Sequence, residues 1–243
     1  MSRRKKEEDI DRSDTLCHKG GVEKTVLHTL SEGAAQIGIR LGQTELDLFA
    51  QYHRELLRWN RRINLVSEQA SREIVIRHFV DSLTPLPWIE RPDGLLIDLG
   101  SGGGFPGIPL RIALPELQLT LVESSRKKTS FLAHIVRTLH LDNVTIIRER
   151  VEALIGEPAC AGAFDTLLSR AAFKLPELLR MASFFLKPGG LLIALKGPDP
   201  QEEMDEAETV LTAAGMIHAA CRDICLPGTN LSRKIIIYKR LTG

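Results

Sequence analysis

Asp98-Leu99-Gly100-Ser101-Gly102-Gly103-Gly104 follows an apolar run, Leu95-Leu96-Ile97, and the charged cluster that closes the next apolar run opens at Glu123. An acid, glycines at alternate positions and a second acid about two dozen residues on suit a nucleoside-containing cofactor lying across the carboxyl ends of two adjacent strands. A tight strand-to-helix turn alone needs fewer glycines. Gly100, Gly102 and Gly104, joined by Gly107, therefore favour close approach of a ligand to the backbone. In the dinucleotide fingerprint G-x-G-x-x-G, Gly100 and Gly102 would be the first two glycines. Phe105 holds the third place and cannot supply the close helix–strand contact of a glycine.

D-x-G-x-G-x-G instead resembles the first motif of class I S-adenosylmethionine-dependent methyltransferases, in which the glycine backbone admits the methionine half of the cofactor and no pyrophosphate is held. On that resemblance Asp98, Gly100, Gly102 and Gly104 bind the cofactor, and Phe105 with Pro106 shapes the wall of the methionine pocket. Glu123 can accept both ribose hydroxyls; the alternative is a carboxylate that merely favours the helix N-terminus near Arg126. Val151 and Glu152 can read the adenine edge through a backbone N–H, although a charged surface loop would look the same. Arg170, in Ser169-Arg170-Ala171, is costly in a cleft without an anionic partner, which favours the cofactor carboxylate or an RNA phosphate. Lys196, before Gly197-Pro198 on the same rim, is a candidate phosphate contact.

The elements that must position these residues are legible in outline. Short apolar runs alternating with amphipathic stretches after Pro92 predict a doubly wound α/β sheet. Strands are expected near 95–100, 118–123, 143–149, 164–169, 190–196, 216–225 and 233–240, with helices near 107–114, 126–140, 175–186 and 201–214. Pro188-Gly189-Gly190 reads as a turn before the fifth strand. The link around Pro227-Gly228-Thr229-Asn230 is too short for a parallel crossover, so the seventh strand should enter antiparallel by a hairpin. Two amphipathic stretches, Thr44 to Trp59 and Arg72 to Leu83, form an N-terminal helical cap. The expected layout is a disordered arm over 1–24, the cap over 25–93 and a class I methyltransferase (Rossmann-like) domain over 94–243.

Composition sets the class. The chain has 243 residues, 43% hydrophobic, with a formal net charge of +1, ample for a buried core and unlike a protein that coats nucleic acid over its whole surface. A local basic patch remains, drawn from Arg54, Arg58, Arg61, Arg62, Arg72, Arg77 and His78. Cys17, Cys160, Cys221 and Cys225 are scattered without ligand spacing, so free thiols and no metal are expected. The start of the chain lacks the apolar segment of a signal peptide, and no run suits a membrane span, so the expected compartment is the cytoplasm and the expected state a monomer.

Trp59-Asn60 with Asn64-Leu65, Arg77-His78-Phe79-Val80-Asp81-Ser82, the glycine loop extended by Phe105-Pro106-Gly107-Ile108-Pro109, Ser169-Arg170-Ala171 and Ala194-Leu195-Lys196-Gly197 resemble successive motifs of the bacterial small-subunit ribosomal RNA guanine-N7 methyltransferases, the glucose-inhibited division protein B family. The resemblance spans about residues 40 to 240. It implies S-adenosyl-L-methionine as cofactor, a guanosine in the decoding-region loop of 16S rRNA or the small ribosomal subunit as substrate, and cofactor contacts at Gly100, Phe105, Val151, Glu152 and Arg170. Guanine N7 carries no proton, so methyl transfer needs no general base. An arginine bidentate to O6 and N7 would block the reacting atom. The base should instead be held by its Watson–Crick edge and by stacking. Asn64, His78 and Asp81 are candidates for the cap's part in this, and His78 and Asp81 stand with Arg170 and Lys196 as the catalytic candidates; a plain helix-surface pair is the alternative for His78 and Asp81. Trp59 reads as a core anchor. Two other readings stay open: a small-molecule methyltransferase with the cap as a lid, and a nucleotide-sensing module without catalysis.

Overall fold

The computed structural model describes residues 24–68 and 70–242; the charged arm expected over 1–24 therefore lies almost wholly outside the described residues. Seven strands form one sheet in the order β3-β2-β1-β4-β5-β7-β6. They are β1 Leu95–Leu99, β2 Gln118–Val122, β3 Val144–Ile147, β4 Phe164–Arg170, β5 Leu186–Lys196, β6 Met216–Cys225 and β7 Ser232–Arg240. β1 to β5 pair in parallel, and β7 inserts antiparallel between β5 and β6. The hairpin expected at the end of the chain is present. The strand order reverses at β1 and β4, so the crevice beyond their carboxyl ends is where an open α/β sheet binds a ligand.

Alternation along β1 divides the core. Leu96 faces one apolar cluster together with Leu119, Leu121 and Phe131, whereas Ile97 and Leu99 face the other with Val122, Leu167 and Leu178, as the period of two in a strand requires. The first cluster also takes in Phe49, Tyr52, Leu56 and Phe79 of the N-terminal helices. The cap is thus continuous with the core and roofs one face of the sheet.

Residues 24–36 form α1, which the sequence reading left out of its two-helix cap. Val26, Leu30 and Ala34 recur at four-residue spacing and are buried; that stripe lies within the cap expected over 25–93 but is too sparse to mark a helix by its apolar positions alone. α2 spans Gln43–Asn60. The second predicted cap helix is α3 Ser71–Ile74 and α4 Asp81–Leu83 with a π-helical segment, Val75–Val80, between them. Wider π turns frequently mark functional sites, and this one carries Arg77 and His78.

The remaining helices are α5 Gly107–Ala113, α6 Arg126–Thr138, α7 Val151–Leu154, α8 Leu175–Phe185, α9 Gln201–Glu208 and α10 Leu211–Ala214. The single helix expected over 201–214 is broken at Thr209-Val210, where two adjacent β-branched residues weaken it. Pro188-Gly189-Gly190 is not a turn before β5. The strand already pairs at Leu186 with Phe164, resumes at Leu191 with Thr166, and bulges between them, with Gly189 at φ +80°.

Candidate active site

The glycine loop turns on itself at the end of β1. The amides of Gly100 and Ser101 both donate to the Val122 carbonyl, at 3.0 and 3.1 Å. Gly100, Gly102 and Gly104 have φ of +75°, +58° and +92°, which L side chains adopt only with strain. A Cβ on Gly104 would lie 2.5 Å from Ile108 Cδ1 and 2.7 Å from the Tyr52 hydroxyl, whereas one on Gly102 would meet nothing closer than 3.8 Å. Gly104 is glycine for packing; Gly102 keeps an open face towards the crevice. Gly104→Ala is expected to lose about 1–2 kcal/mol from backbone strain alone, read as a lower midpoint in urea.

Asp98 is fully buried under this loop. Its Oδ2 accepts from the Gly107 amide at 3.1 Å, while Oδ1 finds no hydrogen-bond partner among the described residues. Burial pushes its pKa up to about 7 against the opposing Gly107 bond and Arg170 charge. A buried carboxylate with an unused oxygen is poised for a cation. Glu123, at the end of β2, spans two elements: Oε2 accepts from the Gly102 amide at 3.0 Å and Oε1 from Ser125 at 2.7 Å. It therefore ties the start of α6, as the plainer reading held, and also grips the glycine loop. Each oxygen keeps a second lone pair for a hydroxyl.

Tyr52 of α2 donates its buried hydroxyl to the Gly103 carbonyl and stacks on Phe105 at 5.4 Å between centroids. Tyr52 lies within the amphipathic stretch Thr44 to Trp59, whose spacing reveals an apolar ring but not the partner of its hydroxyl. Tyr52→Phe leaves a buried carbonyl unsatisfied and is expected to cost about 1–3 kcal/mol, measurable by chemical denaturation.

Phe105 carries the Arg170 guanidinium 5.2 Å over its ring. Arg170 Nη1 donates to Asp81 Oδ2 and to the Arg77 carbonyl, each at 3.2 Å, and Nη2 donates to His78 Nδ1 at 3.1 Å. Arg233 Nε donates to the other Asp81 oxygen at 3.1 Å. A guanidinium can only donate, so His78 Nδ1 is unprotonated and Nε2–H donates to Glu68 Oε2 at 2.7 Å. Burial and then the Arg170 charge lower the His78 pKa; Glu68, despite partial burial that opposes it, is brought to about 2 chiefly by the His78 bond.

This network corrects three expectations. Arg170 needs no external anion to be tolerated, because Asp81 supplies one. His78 and Asp81 are not a helix-surface pair: Asp81 is fully buried. In place of the base contact expected of them, both Asp81 oxygens and both His78 nitrogens have partners inside this network. Asn64 is exposed, on the loop after α2. That loop is held by Asn60, which accepts from Leu65 and Val66 at 2.7 and 3.0 Å and donates to the Val66 carbonyl at 2.9 Å.

Residues 45–230 match the family described as GidB, rRNA small subunit methyltransferase G. The chain belongs to that family. A relative from Syntrophus aciditrophicus (strain SB), named ribosomal RNA small subunit methyltransferase G, is 47% identical over 210 residues, covering 86% of this chain and 87% of its own length. Among solved structures, precorrin-6y C5,15-methyltransferase from Geobacter metallireducens GS-15 superposes with a TM-score of 0.52 at 17% identity, covering 74% of this chain and 91% of that one. Aeropyrum pernix fibrillarin, solved with natively bound S-adenosyl-L-methionine, gives 0.50 at 18% identity over 62% of this chain and 69% of its own. At such identities the likeness is one of fold, the class I methyltransferase fold.

In this member of the rRNA small subunit methyltransferase G family, a nucleoside cofactor with a cationic amine fits the acceptors present: Asp98 Oδ1 for the amine and Glu123 for ribose hydroxyls. Val151 and Glu152 open α7, where first-turn amides have no intrahelical acceptor; Val151 is buried and Glu152 exposed. Lys196 does not stand free on the rim. It is 7% exposed and its ammonium is engaged by Glu203 and the Phe173 carbonyl, both at 2.6 Å, so the phosphate contact expected of it is replaced by an internal pair. Trp59 packs on Phe131 and His134 of α6, the anchor role expected. Among the described residues no group of His, Cys, Asp and Glu could hold a metal ion, and no helix is long and apolar enough to cross a membrane.

Proposed function

We propose that this chain transfers a methyl group from S-adenosyl-L-methionine to N7 of a guanosine in 16S rRNA of the small ribosomal subunit, acting as a cytoplasmic monomer. The single observation that carries the cofactor assignment is the unpartnered Oδ1 of the buried Asp98 beneath the glycine loop. S-adenosyl-L-methionine, when bound, supplies a methyl group activated on a sulfonium. Asp98 holds its ammonium, Glu123 its ribose, the open face of Gly102 its methionine half, and the Val151 and Glu152 amides its adenine edge.

Catalysis rests on placement. N7 presents a free lone pair, so no side chain has to remove a proton, and in-line positioning in a site closed to water supplies up to about 7–11 kcal/mol. Arg170 uses three of its N–H donors on Asp81, Arg77 and His78. Its remaining donors can make a single bond to guanine O6 or to a phosphate, which leaves N7 open. Asp81 and His78 act through Arg170 by fixing its plane. Digestion of small-subunit RNA labelled from methyl-labelled S-adenosyl-L-methionine tests this: the label should reside in 7-methylguanosine, and label in another nucleoside would sink the N7 assignment.

A further inference from the structure

The turn from β4 to α8 lies on the first glycine of the loop. A Cβ on Gly100 would stand 2.6 Å from the Ala172 Cβ and 3.6 Å from the Phe173 ring. The same turn begins with Ala171 at φ +55°, a conformation a non-glycine residue holds only when its surroundings fix it. What fixes it comes from outside the turn. α8 has no side-chain cap from its own N-cap residue, Lys174; Glu203 of α9 takes that role by accepting from the Leu175 amide at 3.0 Å. Lys196, the last residue of β5, donates to the same Glu203 oxygen and to the Phe173 carbonyl, both at 2.6 Å. Two successive points of the turn, the carbonyl at 173 and the amide at 175, are thus held by one ion pair buried at the lysine end.

We infer that Lys196 and Glu203 are positioning residues that set the cofactor cleft by pinning the 171–175 turn against Gly100, and that neither touches RNA. This rests on the proposed methyltransferase reading. A 1 Å misplacement of a binding wall can cost up to about a hundredfold, so releasing the turn should be felt at the cofactor although neither side chain reaches it. A lysine acting as a phosphate contact behaves differently, because its loss weakens RNA binding and lowers the salt dependence while a neighbouring carboxylate contributes nothing favourable.

The test uses Lys196→Met and Glu203→Gln in the full chain. Binding of S-adenosylhomocysteine is measured by calorimetry, and the KM for small-subunit RNA at several salt concentrations, at a temperature where circular dichroism shows each variant folded. Both variants should weaken S-adenosylhomocysteine by about tenfold or more, with the KM for RNA and its salt slope unchanged. Lys196→Arg, which retains a donor to Glu203, should recover part of the loss. The inference is overturned if only Lys196→Met has an effect and that effect is on RNA, or if both variants lower the melting temperature yet bind S-adenosylhomocysteine as the unaltered protein does. Should Lys196→Met fail to fold, Glu203→Gln alone decides, since its amide oxygen can still cap α8. Absence of S-adenosylhomocysteine binding by the unaltered protein would instead defeat the methyltransferase reading on which the inference stands.

Discussion

Asp81→Ala should destabilise the protein by about 3–5 kcal/mol, the range for breaking a buried ion pair from one side. Asp81 is fully buried and its two oxygens separately receive Arg170 from β4 and Arg233 from β7. Without it, two guanidinium groups remain together with their shared counter-charge gone. Arg170 would lose its plane over Phe105, so methyl transfer should fall more steeply than stability alone explains. Asp81→Asn keeps the shape but not the charge and should lie between. Urea denaturation gives the stability change; turnover below the transition, where the variant is folded, gives the rest. A loss under about 1 kcal/mol would show that the surrounding cations are solvated in the folded state, contrary to their placement.

Asp98→Asn should separate stability from binding. In the cofactor-free protein the folded pKa of Asp98 stands at about 7 against an ordinary 3.8. Between those values the unfolded chain releases a proton that the folded one retains, so this group's contribution to stability falls as pH rises from about 4 to about 7. Asparagine removes that dependence, and the variant should be at least as stable as the unaltered protein at pH 8. Cofactor binding should move the other way. A hydrogen bond to a charged group is worth about 1.5–3 kcal/mol, so affinity for S-adenosyl-L-methionine should drop by about ten- to a hundredfold. In the unaltered protein that affinity should rise with pH and level off above about 7. Calorimetry across pH 5.5–8.5 is the check; a flat profile with undiminished affinity in Asp98→Asn would place the ammonium elsewhere.

What the sequence made visible is what neighbouring residues determine. β1, its glycine loop and Glu123 are readable because a strand period, left-handed glycines and a strand-end acid follow one another within a short stretch. The final hairpin is readable because its link is too short for any alternative. The Asp81 network was hidden because its members stand at 68, 77, 78, 81, 170 and 233, brought together only by the cap folding onto the sheet. Residue type pointed to Arg170, but its partner could not be named without the tertiary contact. Tyr52 was hidden in a different way, since an aromatic on an apolar helical stripe looks the same whether or not its hydroxyl grips a loop. Lys196 misled because a lysine at a strand end is exposed far more often than buried, and Glu203 carries no local sign that it caps a helix other than its own.

The most direct measurement of the central claim is methylation of small ribosomal subunits that lack 7-methylguanosine, followed by chemical cleavage at N7-methylated bases and mapping of the break. A single cleavage within the decoding-region loop of 16S rRNA, dependent on S-adenosyl-L-methionine and reduced in Asp98→Asn at limiting cofactor, is the result expected. Incorporation of methyl label with no N7-specific break, or no incorporation despite tight cofactor binding, would contradict it.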